Sequence, residues 1–420
     1  MDGLSTLVLL SSGLFLGWSL GANDAANVFG TAVASRMVRF TTAAVLCGLF
    51  CTVGAVAGGS GPARGLGALG SVDALAGAFT VALAAAITVY GMTALGLPVS
   101  TTQAVVGGIV GWNLFTGSPT DATALARIVA TWVACPLLGA VFAIVLYKGV
   151  AAAVRHFKPH LLELDRLTRW GLVAAGMFGA YSLGANNIAN VMGVFVGAAP
   201  FTGLDLGPLR LTAVQQLFLL GGAAIAAGGF ASRRVMMTVG EGIFPVSPIG
   251  AWVVVVAQGL VLFVFSSTAL QRLVAGAGLP RIPLVPVSSS QAVVGAVIGV
   301  GLCHGLRSAR NIRWRLLATV ASGWISTPVV AAALCFVLLF VVQNVFQQPV
   351  TRAARPAVTA SISPCGNGCA ARASPTGMGW GRHRAMSLPL QNRRRPPTIG
   401  RELLTKLRGM RTSSCRRDCL

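Results

Sequence analysis

Asn and Asp side chains stand inside two otherwise apolar stretches of this sequence. Residues 21–27 read Gly-Ala-Asn-Asp-Ala-Ala-Asn, and residues 184–190 read Gly-Ala-Asn-Asn-Ile-Ala-Asn. Inside a lipid bilayer, backbone N–H and C=O groups outside a helix are costly unless protein or a wet cavity covers them. Polar interruptions at membrane depth commonly hold a substrate or an ion. We therefore predict a broken helix and a ligand site at each of these two Asn motifs.

The first Asn motif contains one carboxylate, Asp24, and Asn187 stands in its place in the second. Carboxylate and amide oxygens suit Na⁺, whereas Mg²⁺ or Ca²⁺ normally requires more carboxylates. A lone carboxylate at this depth can also carry a proton, so H⁺ is the alternative to Na⁺ at this site. The predicted cation ligands are Asn23, Asp24, Asn27, Asn186, Asn187 and Asn190, and the candidate ligands of Na⁺ are Asp24, Asn27, Asn187 and Asn190. The structural alternative is that these Asn side chains only cap broken helices.

Two further motifs carry consecutive hydroxyl groups. Residues 98–103 read Pro-Val-Ser-Thr-Thr-Gln, and residues 286–291 read Pro-Val-Ser-Ser-Ser-Gln. Pro favours the first helical turn and Ser or Thr the cap position, so each of these hydroxyl motifs predicts a helix start. The N–H groups of a helix start attract anions, and two facing starts would enclose a tetrahedral oxyanion without Arg or Lys. The predicted residues of this oxyanion site are Ser100, Thr101, Thr102, Gln103, Ser288, Ser289, Ser290 and Gln291; two ordinary capped helices are the alternative.

The composition is that of a membrane protein. Of the 420 residues 55% are hydrophobic and 10% are charged, and the mean hydropathy is +0.75. Soluble domains carry roughly 25% charged residues. The net charge of +22 does not indicate nucleic-acid binding, because the basic excess lies in loops and in residues 351–420. We expect a multi-pass protein of the plasma membrane, surrounded by lipids and without a nucleic-acid partner.

Ten apolar stretches fall into two sets of five, and the motifs of the first set recur in the second. The stretches are 4–35, 41–60, 77–97, 100–116, 123–147, 167–199, 209–230, 250–270, 284–303 and 317–343. Five crossings are an odd number, so the second set should be inverted relative to the first. The predicted fold is an all-α polytopic membrane protein with two inverted-topology repeats, broken helices and about 10–12 transmembrane segments.

The predicted domains are a first repeat over 1–147, a basic cytoplasmic loop over 148–166, a second repeat over 167–346 and a basic, disordered tail over 347–420. Basic residues near Arg36, in the central loop and over 306–315 place those segments in the cytoplasm by the positive-inside rule. The repeated Trp-x-x-x-Pro segments at 132–136 and 324–328 are interpreted as parts of packing helices.

Both Asn motifs and both hydroxyl motifs resemble signature motifs of the inorganic phosphate transporter (PiT) family, and the resemblance runs in order over about residues 5–345. It implies cation-coupled phosphate uptake by alternating access. It also implies an anion site built from both hydroxyl motifs and cations held by the Asn motifs. Two positions depart from the pattern: Asn187 replaces an Asp found in many members, and Cys51 stands where many carry Glu.

Other functions remain as alternatives. A permease for another tetrahedral oxyanion such as sulfate shares the expected architecture. An intramembrane aspartyl protease would need two facing carboxylates, a metalloprotease would need His-Glu-x-x-His, and the sequence contains neither, so we expect no enzyme. A channel fits paired motifs less well than alternating access does. We expect no cofactor besides the coupling ion, and a homodimer is an open alternative.

Overall fold

The computed structural model of the chain describes residues 3–34, 36–70, 72–94, 99–198, 201–207, 209–233, 236, 247–303 and 314–351. This part of the chain contains twelve α-helices. They are α1 (Gly3–Ala34), α2 (Phe40–Gly58), α3 (Ser60–Gly67), α4 (Leu75–Ala94), α5 (Thr101–Thr116), α6 (Ala122–Phe157), α7 (Leu161–Met192), α8 (Ala213–Gly229), α9 (Pro248–Ser266), α10 (Thr268–Gly276), α11 (Ser289–Cys303) and α12 (Trp314–Asn344). A 3₁₀ turn (Gly193–Phe195) follows α7, and an antiparallel hairpin of β1 (Leu204–Leu206) and β2 (Leu209–Leu211) precedes α8.

Each of the ten predicted apolar stretches overlaps one of the longer helices over most of its length. Six described helical spans are long and apolar enough to cross a membrane: Leu4–Ala34, Phe40–Gly58, Leu75–Ala94, Ala122–Phe157, Pro248–Ser266 and Ala318–Asn344. Helices α8 and α11 are apolar but shorter. The prediction of an all-α polytopic membrane protein is confirmed.

The prediction of a helix break at each Asn motif is wrong, because α1 and α7 run through these motifs without interruption. The glycines that suggested a break serve close packing instead. A Cβ atom on Gly21 would overlap the carbonyl group of Ile225, and one on Gly184 would overlap that of Cys51. Small residues at such contacts let helix backbones approach each other in a membrane. The irregular backbone lies at the hydroxyl motifs, where α5 and α11 begin inside the protein.

The interpretation of residues 148–166 as a loop also needs correction. Helix α6 continues to Phe157 and α7 begins at Leu161, so the connection is the short turn 158–160. Lys, Arg, Glu and Leu are good helix formers, and their charges do not prevent a helix from extending beyond the bilayer. Asp165 and Arg169 form an exposed pair one turn apart, at 3.9 Å. The predicted tail beyond residue 351 and the basic segment 304–313 lie outside the described residues.

The two halves make equivalent helix contacts. Helix α1 packs on α8 as α7 packs on α2, and α5 packs on α12 as α11 packs on α6. The repeated proline segments lie in the last two pairs: Gly107 of α5 contacts Pro328, and Gly295 of α11 contacts Pro136. Each proline therefore lies in a helix that packs tightly against a glycine of the other half.

The first helices of the two halves run in opposite directions. Near the start of α1, Gly13 lies against Phe195, in the 3₁₀ turn that follows α7. Towards the end of α1, Val28 lies against Gly179 and Phe29 against Gly176. As residue numbers increase along α1, the numbers of their contacts on α7 decrease, so the two helices are antiparallel. This arrangement brings the middles of the two Asn motifs face to face.

Candidate functional site

The hydroxyl motifs form two buried helix starts. Helix α5 begins at Thr101, and the Ser100 hydroxyl accepts a hydrogen bond from the Gln103 backbone N–H at 3.5 Å. Helix α11 begins at Ser289, and the Ser288 hydroxyl accepts from the Gln291 backbone N–H at 3.3 Å. The predicted capped starts are confirmed, and all eight residues from Ser100–Gln103 and Ser288–Gln291 are buried.

Asp24 lies where these starts meet the Asn motifs. Its Oδ2 atom accepts hydrogen bonds from the Ser289 hydroxyl at 2.7 Å and from Asn187 Nδ2 at 3.0 Å. Its Oδ1 atom accepts from Asn23 Nδ2 at 3.2 Å. The side chain is 3% exposed, and among the described residues it is the single buried acidic side chain and has no basic side chain within ion-pair distance. Buried charges in proteins are normally paired, and the described groups around this carboxylate are neutral. A bound cation is therefore a suitable partner for it.

The second Asn motif extends this hydrogen-bond network. Asn187 Oδ1 accepts from Asn186 Nδ2 at 2.7 Å and from Asn190 Nδ2 at 3.3 Å. Asn190 Nδ2 also donates to the Thr102 hydroxyl at 2.9 Å, which in turn donates to the Val287 carbonyl at 3.3 Å. One network therefore connects α1, α7, the start of α5 and the segment before α11.

Asn186 satisfies the backbone of that last segment. Residues 279–288 are not helical, and Val285, Val287 and Ser288 are buried. Asn186 Nδ2 donates to the Val287 carbonyl at 2.7 Å, and Asn186 Oδ1 accepts from the Val287 N–H at 2.9 Å. Both polar groups of Val287 are thus paired, which irregular backbone inside a membrane protein requires.

The structure brings all four predicted motifs together, but not every predicted side chain joins the network directly. Asn27 reaches it through its Nδ2 atom, 3.4 Å from the Ser289 hydroxyl. Ser290 contacts the Ser288 hydroxyl at 3.0 Å.

Four buried oxygens at the site have no hydrogen-bond partner within the described structure: Thr101 Oγ1, Gln103 Oε1, Asn190 Oδ1 and Gln291 Oε1. Buried polar atoms are nearly always paired, so a group of unpaired oxygens points to a bound cation or to a ligand that donates hydrogen bonds.

Two residues near the site were not predicted. The Ser19 and Ser182 hydroxyls are buried and lack a partner among the described residues. Each lies one helical turn before the first Asn of its motif, on the same helix face as Asn23 or Asn186. Their recurrence at equivalent positions of both motifs was the available signal. The hydrogen bonds of the Val287 backbone could not be predicted in this way, because the sequence does not distinguish the main-chain groups of one residue from those of another.

Residues 20–335 match the model of the family described as the Phosphate transporter family. The chain belongs to this family. A "Putative phosphate permease" of Methanocaldococcus jannaschii is 24% identical over 326 residues, which cover 77% of this chain and 93% of the relative. The sulfate permease CysP of Bacillus subtilis is 29% identical over 340 residues, covering 78% and 85%.

A solved structure described as "The sodium-dependent phosphate transporter" is similar in fold, with a TM-score of 0.61 and 24% sequence identity. The match covers 80% of this chain and 99% of that chain. At this identity the similarity shows the fold. Membership of the Phosphate transporter family and the six apolar helices together make the chain an integral membrane protein.

Proposed function

We propose that this protein is a secondary transporter that imports inorganic phosphate together with Na⁺, with H⁺ as the alternative coupling ion. The observation that carries the proposal is the meeting of both Asn motifs and both hydroxyl motifs around the buried carboxylate of Asp24. Membership of the Phosphate transporter family supports phosphate as the substrate. The chemistry of the site supports Na⁺ as the coupling ion.

Asp24 is the proposed primary ligand of the cation. It brings a full negative charge, and nearby amide and hydroxyl oxygens complete a set of hard ligands of the kind Na⁺ binds. The unpaired oxygen of Asn190 and the carboxylate of Asp24 are linked through Asn187, which contacts both residues. Cation binding there would neutralise the only buried carboxylate in the described part of the chain.

The two helix starts form the proposed phosphate site. Their first backbone N–H groups and their hydroxyls are donors for the anion, so no Lys or Arg is required. The unpaired Gln103 and Gln291 carbonyl oxygens add two acceptors. At neutral pH phosphate carries a proton and can donate a hydrogen bond to such an acceptor, whereas sulfate cannot. A buried acceptor left unpaired disfavours the wrong ligand, so these two oxygens favour phosphate.

We propose that the two halves are inverted repeats and that transport proceeds by alternating access between them. The antiparallel register of α1 and α7 and the equivalent helix contacts support this arrangement. Because Asn23 and Asn27 are half-buried while Asn186 and Asn190 are buried, the site opens more towards the first Asn motif. The plasma membrane is the expected location.

The test is uptake of labelled phosphate into proteoliposomes under an imposed Na⁺ gradient or an imposed proton gradient. Stimulation by Na⁺ alone, without competition by sulfate, is the expected result. Stimulation by the proton gradient alone would replace Na⁺ by H⁺ and make Asp24 the proton carrier. An absence of phosphate uptake under both gradients would refute the proposed substrate.

A sulfate permease is the second candidate, because one matching relative carries that name at 29% identity. The same proteoliposomes would then take up labelled sulfate, and phosphate would be the weaker competitor. The unpaired acceptors Gln103 and Gln291 argue for the opposite order. Replacing both by Leu should weaken phosphate binding and leave any sulfate uptake less affected.

A further inference from the structure

A cavity away from the site around Asp24 is lined by three arginines. It has a volume of about 620 Å³ and lies between α3, the start of α6 and the segment that follows α10. Arg64, Arg127 and Arg281 line it, and no acidic side chain is among its lining residues. Three positive charges around one concave surface create a local field that concentrates anions.

These guanidinium groups have no carboxylate partner among the described residues. Arg64 Nε donates to the backbone carbonyl of Ser60 at 3.1 Å, which leaves its terminal nitrogens available. The nearest acidic residue in sequence to Arg127 is Asp121, and its carboxylate accepts from the backbone N–H groups of Thr123 and Ala124 at the start of α6. Within the described part of the chain, no ion pair therefore neutralises the positive charge of the cavity.

The position of the cavity is also informative. It lies at the Ala122 end of α6, opposite to the turn 158–160, which the positive-inside rule assigns to the cytoplasm. Arginines needed only for membrane orientation would lie at the other end. A non-helical segment leads from this cavity to the buried site, since Arg281 and Val285 line the cavity and Ser288 caps α11 seven residues beyond Arg281. That distance is at most about 25 Å for an extended chain.

We propose that this basic cavity is an outer binding site for a phosphate oxyanion. Arginine presents a planar set of donors that binds phosphate oxygens in pairs, and three such groups can surround one anion. The oxyanion comes either from free phosphate or from the headgroup of an anionic lipid. If free phosphate is the ligand, the cavity collects the substrate before it reaches the buried site. This collecting role rests on the proposed function, whereas binding of the oxyanion to the cavity does not.

The binding test uses the arginine reagent phenylglyoxal on the purified full-length protein, with modification of each arginine followed by mass spectrometry. In phosphatidylcholine nanodiscs, millimolar phosphate should slow modification of Arg64, Arg127 and Arg281 about threefold or more, in line with a field that raises local anion concentration at least tenfold. Arg272 is the internal control, because it lies on the neighbouring helix α10 but does not line the cavity.

The outcomes separate the two sources. Protection by free phosphate identifies the free anion as the ligand, and protection that requires phosphatidylglycerol in the nanodisc identifies a lipid headgroup. Equal modification of all four arginines under both conditions overturns the proposal. Protection should persist in Asp24→Asn, which lacks the proposed coupling carboxylate. The result therefore stays interpretable even if the proposed transport function fails.

A kinetic experiment tests the transport role. The triple variant Arg64→Gln, Arg127→Gln and Arg281→Gln should raise the KM for phosphate uptake, with kcat nearly unchanged. At low ionic strength kcat/KM should fall about tenfold, and salt should remove most of the difference. Arg272→Gln should behave as the unmodified chain. A triple variant with normal KM and normal salt dependence would limit the cavity to binding without a role in uptake, and would overturn its assignment as a collecting site.

Discussion

Exchanging the two central residues of the Asn motifs tests the role of Asp24 most directly. Asp24→Asn removes the buried charge, and adding Asn187→Asp returns it at the equivalent position of the other half. The two side chains are joined by a hydrogen bond of 3.0 Å, so the double variant moves the carboxylate only a short way. At position 187 the carboxylate would still accept hydrogen bonds from Asn186 and Asn190.

The expected magnitude follows from the loss of one charge beside a cation. Two unit charges 4 Å apart attract each other by about 4 kcal/mol at an effective dielectric constant of about 20. Because about 1.4 kcal/mol corresponds to a factor of ten, Asp24→Asn should weaken Na⁺ activation roughly a thousandfold. The double variant regains the charge but loses the Ser289 bond of 2.7 Å, a charge-assisted bond worth about 1.5–3 kcal/mol. It should therefore recover roughly a tenth or less of the wild-type Na⁺ affinity.

The assay is the Na⁺ concentration that gives half-maximal phosphate uptake in proteoliposomes. Asp205→Asn is the matched control, since Asp205 lies on the exposed β-hairpin and pairs with Arg210 there, at 3.2 Å. If Asp24→Asn retains uptake with Na⁺ activation within about threefold of the unmodified chain, Asp24 does not bind the coupling ion. If the double variant is no better than Asp24→Asn, the two positions are not equivalent in the transport cycle.

Two further predictions concern packing and the anion. Gly184→Ala should destabilise the protein by about 1–3 kcal/mol, because the new Cβ meets the Cys51 carbonyl, and thermal unfolding in detergent measures the loss. The control is Gly149→Ala, which has open space around the new Cβ and should be at least as stable as the unmodified chain. Thr101→Ala removes an unpaired buried hydroxyl, so it should leave unfolding unchanged and raise the KM for phosphate about tenfold. Thr80→Ala, which removes a hydroxyl bonded within α4, should leave that KM unchanged, and the same result for Thr101 would exclude its hydroxyl from the anion site.

The sequence allowed the helix positions to be predicted because long apolar stretches separated by polar turns leave few choices for a membrane protein. It also allowed the starts of α5 and α11 to be predicted, since Pro and Ser at those positions favour a helix start. The predicted break at the Asn motifs was wrong because glycine has two roles. Gly21 and Gly184 allow close helix packing, and only the partner helix distinguishes this from chain irregularity.

The contacts between motifs depend on tertiary structure and could not be read from spacing. Asn23 and Asn27 are four residues apart, so an unbroken helix presents both on one face, and the same holds for Asn186 and Asn190. Spacing alone does not say what this face meets. The pairing of Asn186 with both backbone groups of Val287 requires a non-helical segment to enter the protein beside α7.

The single difference between the two Asn motifs accounts for the asymmetry of the site. Ser289 and Thr101 occupy equivalent positions, yet Ser289 donates to a carboxylate whereas the Thr101 hydroxyl has no partner among the described residues. The residue equivalent to Asp24 in the other half is Asn187, a neutral amide that is already bonded to Asp24. Because the carboxylate lies in only one half, the Ser289 hydroxyl bonds to it, while the equivalent Thr101 hydroxyl stays unpaired among the described residues. A ligand that joins the two halves would find its partners among such unpaired groups, and this links the missing second carboxylate to the place where the anion is expected to bind.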